Sequence, residues 1–520
     1  ATKAAANPFN DPYLFCQWHY INSGSAPFER DWAPVLAGSD VGCDEAWKLC
    51  TGDPSIIVAV MDEGVMYNHP DLAANMWVNE AEVMGSDSDM DGNGYKGDRY
   101  GYNFATDNGL INTSTIYDSG HGTHVAGTIA AVNNNGKGVS GIAGGDGTPD
   151  SGVKIMSLQI FDDGYNCSLA NEARAMKYAA DNGAVILQCS WGYNSSLSNI
   201  LSGFTPGPAS EDEWANMYPL EKEAIDYFIH NAGSPNGVID GGLIFFASGN
   251  EYSAMSAFPA AYSGCVSVSA IAADYTPASY CNYGSEVELS APGGDIEYYC
   301  TPGSEDDTLE DLSPSGVLTP QGSILSTMVL KGKAGYGYFD GTSMACPHVS
   351  GVAALGLSYA KSLRKHFTAD EFKALMMKTS RELDPYMSGD KLYYFNHTAA
   401  GASPTRMDLG HYKGKMGRLV DAGALLAAIG GEGVEIRMPN FYLAPMQTEK
   451  ADLSAALGKA SSYSAESEDQ SIALVKVSGN MLMVTGIAEG ITYAKVKAAG
   501  GGEARVSITV RKNSSSNGWL

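Results

Sequence analysis

From about residue 40 to residue 430, short apolar runs alternate with helix-like segments. Ile56–Met61, Val153–Ile160, Val185–Ser190, Leu243–Ala247 and Val266–Ile271 are nearly continuous in apolar residues, as strands buried on both faces of a parallel sheet must be. Helical periodicity predicts helices over His121–Val132, Leu169–Asn182, Leu220–Asn231 and Ser343–Ala360. This alternation predicts an α/β fold, a parallel sheet flanked by helical crossovers. Gly293–Gly322, rich in Gly, Pro, Ser and acidic residues, reads as a long surface loop, and residues 384–416 as a second irregular insertion. After Gly430-Gly431 the period changes to two. Ala473–Val477, Met481–Thr485, Thr492–Lys497 and Ala504–Val510, separated by turn residues, predict a small all-β sandwich. The expected organisation is one domain over 1–430, a sandwich over 431–512 and a loose tail over 513–520.

The charge narrows the partners. With 32 Lys+Arg against 59 Asp+Glu, the 520-residue chain carries a formal −27. It shows no Lys/Arg cluster with which to hold phosphate, so neither nucleic acid nor an anionic membrane surface is expected as a partner. No apolar run reaches the roughly 18 residues of a membrane span, and residues 1–6 lack signal-peptide features. A signal or propeptide is therefore expected to be absent from this chain. The nine cysteines form no CxxC pair, which argues against a zinc site. Cys43 with Cys50 and Cys281 with Cys300 are the nearest candidates for disulfides; the alternative is that they are buried small hydrophobes.

Candidate chemistry begins where Ile56–Met61 runs into Asp62, a carboxylate at the carboxyl end of a buried strand. His121-Gly122-Thr123-His124 follows a glycine-rich turn. In Gly341-Thr342-Ser343-Met344-Ala345-Cys346-Pro347-His348, Ser343 opens a helix with Pro347 expected in its first turn. Each alone has a structural explanation, a strand-end Asp or a helix-capping Ser. Together they supply a hydroxyl, an imidazole to take its proton and a carboxylate to orient the imidazole. Asn250, just past the strand Leu243–Ala247, adds an amide that can donate to an oxyanion.

These motifs resemble the subtilisin-like serine proteases, the subtilases, in residue type and in the chain order Asp, His, Ser. The resemblance spans roughly residues 7–430. It implies a serine endopeptidase working through an acyl-enzyme, with Asp62 orienting the imidazole, His121 as base then acid, Ser343 as nucleophile and Asn250 in the oxyanion hole. The family usually has Ser or Thr after the Asp; here Glu63 could raise the proton affinity of a carboxyl pair with Asp62. By the same resemblance Ser190, Trp191 and Gly192 pair with an extended substrate, and Ala247, Ser248 and Gly249 form the opposite wall of the specificity pocket. Ala257 is expected at the pocket floor and Glu251 at its mouth, predicting cleavage after Leu, Phe, Tyr and Met with secondary tolerance of Lys. The insertions Asn194–Trp214 and Gly293–Gly322 are expected at the rim of this cleft.

Calcium is the expected structural cofactor, with no organic cofactor. Asp87, Asp89, Asp91 and Asp98 stand at positions 1, 3, 5 and 12 of an EF-hand-type loop, with Gly92 at 6, Asn93 at 7 and Tyr95 at 9. Resemblance to the thermitase branch implies a second site, with side chains from Asp11, Asp71 and Asn135 and carbonyls from Val132, Lys137 and Val139. His69, His124 and His348 read as structural, and Cys346 as buried. The terminal sandwich resembles bacterial immunoglobulin-like modules. The expected protein is a monomer, secreted or held at a bacterial surface, acting on protein or peptide substrates. The rivals are a protease-like scaffold serving as a binding protein, and an esterase. The intact four residues disfavour the first, and the absence of Gly-x-Ser-x-Gly disfavours the second.

Overall fold

A computed structural model describes residues 8–113, 119–162, 165–300, 318–394, 404–431, 441–457, 459–500 and 502–510. The predicted apolar runs become central strands of one sheet. In chain order its inner members are β1 (Ile57–Glu63), β2 (Gly101–Asn103), β3 (Lys154–Asp162), β4 (Ala184–Cys189), β5 (Leu243–Ala247), β6 (Val266–Ile271) and β7 (Val287–Pro292). A separate hairpin, β8 (Ile324–Leu330) with β9 (Lys333–Phe339), precedes two short edge strands, β10 (Arg381–Glu382) and β11 (Arg418–Leu419). The order is β10-β11-β7-β6-β5-β4-β1-β3-β2. Every pair on this path is parallel except β10 with β11.

Continuous apolar character is explained by two-sided burial. Val58 and Val60 of β1 enter a core with α1 (His121–Ala130) and the later central helix Thr342–Ser362. Ala59 and Met61 point the other way, into a core with α2 (Leu169–Asp181) and the helix Pro219–Asn231. Fully burying one such aliphatic side chain contributes about 1.5–3 kcal/mol. The result is a three-layer α/β/α domain, the parallel sheet flanked by helices that the pattern predicts.

The structure departs from the expectations in local ways. The central helix starts at Thr342, so Pro347 lies inside it and not in its first turn. The supposed surface loop is partly core: Asp295, Tyr298, Tyr299, Cys300 and Leu318 are buried. Residues 301–317 of that insertion lie outside the described residues. The insertion 384–416 contains a hairpin pairing Asp390–Tyr393 with Thr405–Asp408. Cys43, Cys50 and Cys281 are thiols, so neither candidate disulfide is formed.

Beyond residue 440 the chain forms two small sheets around their own core of Leu443, Leu482, Val484, Val496, Val506 and Ile508. Their strands include Ala473–Ser478, Met481–Gly486, Gly490–Ala498 and Glu503–Val510, close to the predicted runs. The two small sheets suit an all-β module. Residues 432–440 at the expected boundary, and the expected tail, lie outside the described residues.

Candidate active site

Asp62 stands near the end of β1, only 1% exposed, where the chain continues to β3 on one side of β1 and later to β4 on the other. Such a switch point opens a crevice at the carboxyl ends of the strands. α1 begins at this edge with His121. Its second residue must be glycine, because a Cβ on Gly122 would lie 2.3 Å from the Glu63 carbonyl oxygen. The close approach brings His121 Nδ1 to 2.8 Å from Asp62 Oδ1. With the Nδ1 proton held by the carboxylate, Nε2 is left as the basic nitrogen. Burial alone would lower the His121 pKa, but the charge and hydrogen bond of Asp62, helped by Glu63, outweigh it and raise the pKa above 6.5. The imidazole is still 25% exposed and so reachable from solvent.

Glu63 does not form a carboxyl pair with Asp62. Its Oε2 accepts from Ser119 Oγ at 2.9 Å and from the His121 N–H at 3.2 Å, so its charge sits at the N-terminus of α1. The hydroxyl usual at this position is missing, and Asp62 Oδ2 is buried with no partner among the described residues.

Ser343 is the second residue of the central helix, so its N–H has no acceptor within the helix. Pro347, four residues on, lacks the N–H that would bond the Ser343 carbonyl. That carbonyl instead accepts from Ser190 Oγ at 2.7 Å, while Ser343 Oγ donates to the Ser190 carbonyl at 3.1 Å. Asn250 Oδ1 accepts from the Thr342 N–H at 2.9 Å and Thr342 Oγ1 at 2.8 Å, which leaves the amide NH2 as a donor. A Cβ on Gly341 would lie 3.5 Å from Ser343 N and 3.7 Å from Asn250 Nδ2, so both donors border one small space. A developing oxyanion requires such a pair.

The carboxyl ends of the neighbouring strands β4 and β5 border this space. Ser190, Trp191 and Gly192 leave β4, with Trp191 Nε1 donating to the Met61 carbonyl at 2.9 Å and Gly192 exposed. At the end of β5, Ala247 and Ser248 are buried, and the Ala257 N–H donates to the Ser248 carbonyl at 2.9 Å. The Tyr193 N–H donates to the Phe258 carbonyl at 2.8 Å, joining the two segments beside Ala257. Glu251 does not wait at the mouth for a substrate lysine. Its Oε1 accepts from the Asn250 N–H at 3.2 Å, and its Oε2 from the Ser195 N–H at 3.3 Å and from Asn282 Nδ2. The insertion 194–214 is anchored here by Ser195 and by Trp214, which stacks on Phe258 with ring centroids 5.7 Å apart.

The profile of the subtilase family, peptidase S8, matches residues 53–395. The chain belongs to the subtilase family. This subtilase is 30% identical to halolysin of Haloferax mediterranei over 322 residues, 62% of this chain and 45% of that one. It is 31% identical to an extracellular protease of Xanthomonas campestris over 368 residues, 69% of this chain and 53% of the relative. Thermitase of Thermoactinomyces vulgaris is 28% identical over 319 residues, 61% and 80% of the two chains. The chain thus spans about half the length of the first two relatives. A serine protease of Aeromonas sobria shares the fold at TM-score 0.55 and 17% identity, over 99% of this chain and 95% of its own. A Pseudoalteromonas arctica protease does so at 0.51 and 23%, over 81% and 99%. At such identities the likeness is one of fold.

The subtilase's acidic loop is arranged differently from its spacing. Carboxylate oxygens of Glu82, Asp89 and Asp91 lie within 4.8 Å of one another. Glu82, outside the twelve-residue pattern, also accepts from the N–H groups of Met90, Asp91 and Gly97 and so shapes the loop. Asp98 does not close the site as position 12. It is buried and accepts from Tyr178 Oη at 2.7 Å, Asn93 Nδ2 at 2.9 Å and Asn79 Nδ2 at 3.2 Å. Tyr95 packs its ring on Tyr178, and Asp87 is exposed. An all-oxygen carboxylate set fits a hard cation such as calcium.

At the second cluster Asn135 Nδ2 donates to Asp71 Oδ1 at 2.6 Å and the Asn135 N–H to Asp11 Oδ1 at 3.1 Å. Val139 and Val132 bond to Asp71 through their N–H groups, at 3.0 Å to Oδ2 and 2.8 Å to its carbonyl, and Lys137 lies between them in the same loop. Asp11 and Asp71 are buried, and no Lys or Arg pairs with either among the described residues. Burial, with the charge of Asp11, pushes the Asp71 carboxyl up to about 7. Two buried carboxylates without a counter-charge suit a divalent cation.

His69, His124 and His348 bond to backbone carbonyls: His124 Nε2 to those of Ile324 and Gly337, His348 Nδ1 to that of Met344, and His69 Nε2 to that of Gly335. Cys346 is fully buried, and burial raises its thiol pKa far above the ordinary range. Among the described residues no helix is long and apolar enough to cross a membrane.

Proposed function

We propose that the chain is a serine endopeptidase that hydrolyses peptide bonds of protein substrates through an acyl-enzyme on Ser343. The observation that carries this reading is the 2.8 Å contact between buried Asp62 and His121 Nδ1, which leaves Nε2 free to act as base. His121 Nε2 takes the Ser343 proton as Oγ attacks the substrate carbonyl carbon. The oxyanion is met by Asn250 Nδ2–H and the Ser343 N–H. As the tetrahedral intermediate collapses, His121 Nε2 returns the proton to the leaving amine, the C–N bond breaks and the acyl group stays on Ser343. Water, deprotonated by the same imidazole, then hydrolyses the ester and restores the serine hydroxyl. The test is labelling with a fluorophosphonate probe. The wild type should be modified at Ser343 and Ser343→Ala should be both unlabelled and inactive; a Ser343→Ala variant with wild-type turnover would remove the assignment.

The pocket reading is broad cleavage after Leu, Phe, Tyr and Met, since its walls from 190–192 and 247–249 carry no carboxylate and Ala257 is small. Burying such a side chain supplies about 1.5–3 kcal/mol. With the Glu251 carboxylate already accepting three N–H donors, tolerance of Lys is expected to be slight. Calcium is proposed at Glu82, Asp89 and Asp91 and at Asp11, Asp71 and Asn135, where it would neutralise clustered carboxylates. Extracellular action is proposed from the naming of the Xanthomonas relative. An immunoglobulin-like role for the C-terminal sheets, as a module separate from 1–430, and a monomeric state complete the reading.

A further inference from the structure

We propose that Asn282 is the positioning residue of the oxyanion site, holding the backbone on both sides of Asn250 so that its amide keeps its aim. The inference rests on the reading of Asn250 as the oxyanion donor. Asn250 is exposed and lies past the end of β5, so no strand ladder fixes it. Asn282, in contrast, is fully buried in the turn between β6 and β7. Its Oδ1 accepts from the N–H groups of Glu251 and Ser253, both at 3.0 Å. Its Nδ2 donates to the Ser248 carbonyl at 3.0 Å and to the Glu251 carboxylate. Its own N–H donates to the Gly249 carbonyl at 2.9 Å, and its carbonyl accepts from Ser248 Oγ at 3.2 Å and Ser269 Oγ at 2.7 Å.

One buried residue therefore bonds to positions 248, 249, 251 and 253, while Asn250 Oδ1 is bonded separately to Thr342. Gly249 makes room for this: its φ is +108°, and a Cβ there would lie 2.3 Å from Asn282 Nδ2. A carboxamide is the side chain that can accept from two N–H groups and donate to a carbonyl and a carboxylate at once. An aspartate would keep the acceptor and lose both donors; an alanine would lose all four side-chain bonds. Without the clamp, the segment would regain backbone freedom and the oxyanion donor its placement.

The experiment is a double-mutant cycle with kcat and KM on a peptide amide substrate, using Asn282→Ala, Asn250→Ala and the pair. Asn282→Ala should lower kcat by about 10²-fold, of the order seen on losing an oxyanion donor, with KM within about twofold. The double variant should be no slower than Asn250→Ala alone, because Asn282 acts through Asn250. Multiplied losses in the double variant, an unchanged kcat for Asn282→Ala, or a loss confined to KM would each overturn the proposal. If a melting curve shows that Asn282→Ala does not fold, the near-isosteric Asn282→Asp, which keeps the two accepted N–H bonds and loses both donors, takes its place, and its kcat loss should likewise vanish in the Asn250→Ala background. An unchanged kcat in Asn250→Ala alone would instead sink the oxyanion reading itself.

Discussion

A glutamate directly after Asp62 changes how the imidazole is held. Glu63 caps α1 at the His121 N–H and leaves Asp62 Oδ2 unpartnered among the described residues. The charged or titratable groups acting on His121 are Asp62 and Glu63, which raise its proton affinity, and His124, buried beside it. The base works only when neutral, so kcat/KM should rise with pH through a value above 6.5. Glu63→Gln removes one raising charge, and the acid limb should therefore move to lower pH, by less than the whole displacement because Asp62 remains. A pH profile of kcat/KM in which the limb stays put or moves up would contradict this. Asp62, His121, Ser343 and Asn250 were legible in the sequence because each chemistry demands one residue type beside glycines that allow close approach. Glu82, Thr342 and Asn282 were not, because their roles come from contacts that only the folded chain makes.

At the scale of elements, the strands that were easiest to read are those buried on both faces, where water leaves no polar option. β7, whose residues mix Glu, Ser and Pro, and the glycine-containing β9 carry no such signal. The hairpin between β8 and β9 turns on Lys331 and Gly332, with φ of 50° and 73°, a two-residue turn legible only as Lys-Gly. Pro347 was read correctly as compatible with a helix and placed wrongly within it. Its position makes a prediction, since Pro347→Ala restores an N–H that would compete with Ser190 Oγ for the Ser343 carbonyl. Interior proline costs a helix about 3 kcal/mol, so the variant should melt higher while kcat falls. A lower melting temperature, or unchanged kcat with the higher one, would count against the freed-carbonyl argument.

A second element-scale prediction concerns α2 and the helix Pro219–Asn231, which press Glu172 against Glu221. Burial raises both pKa values, and their mutual repulsion raises that of Glu172 further. A carboxyl with a raised folded pKa keeps its proton while the unfolded chain loses its own, so stability falls as pH rises from about 4.5 toward the folded value. Glu172→Gln removes that proton linkage. Its melting temperature should exceed the wild type's at pH 8 and differ little near pH 4; equal melting at both would show that the pair is not coupled to folding.

The whole molecule carries a net charge of −27, and folding concentrates part of it into two carboxylate clusters without basic partners among the described residues. The Asp11 and Asp71 cluster joins the N-terminal segment to the loop 132–139, and that segment buries Trp18 and Tyr20 against the catalytic core. Among the described residues, the Glu82 cluster organises the loop from Asn79 to Gly97. If calcium binds each in the folded state alone, free ion at about 100 times the dissociation constant stabilises by about 2.7 kcal/mol per site. Excess EDTA should therefore lower the melting temperature in two separable parts. Asp71→Asn should remove the larger structural consequence, freeing the N-terminal segment and hastening autolysis, whereas Glu82→Gln should remove the other share while leaving autolysis near the N-terminus unchanged. Melting curves and the masses of autolysis fragments, taken with and without EDTA, read both. A wild-type curve indifferent to EDTA would exclude both sites, and an undiminished EDTA response in Asp71→Asn or in Glu82→Gln would exclude the site that variant removes.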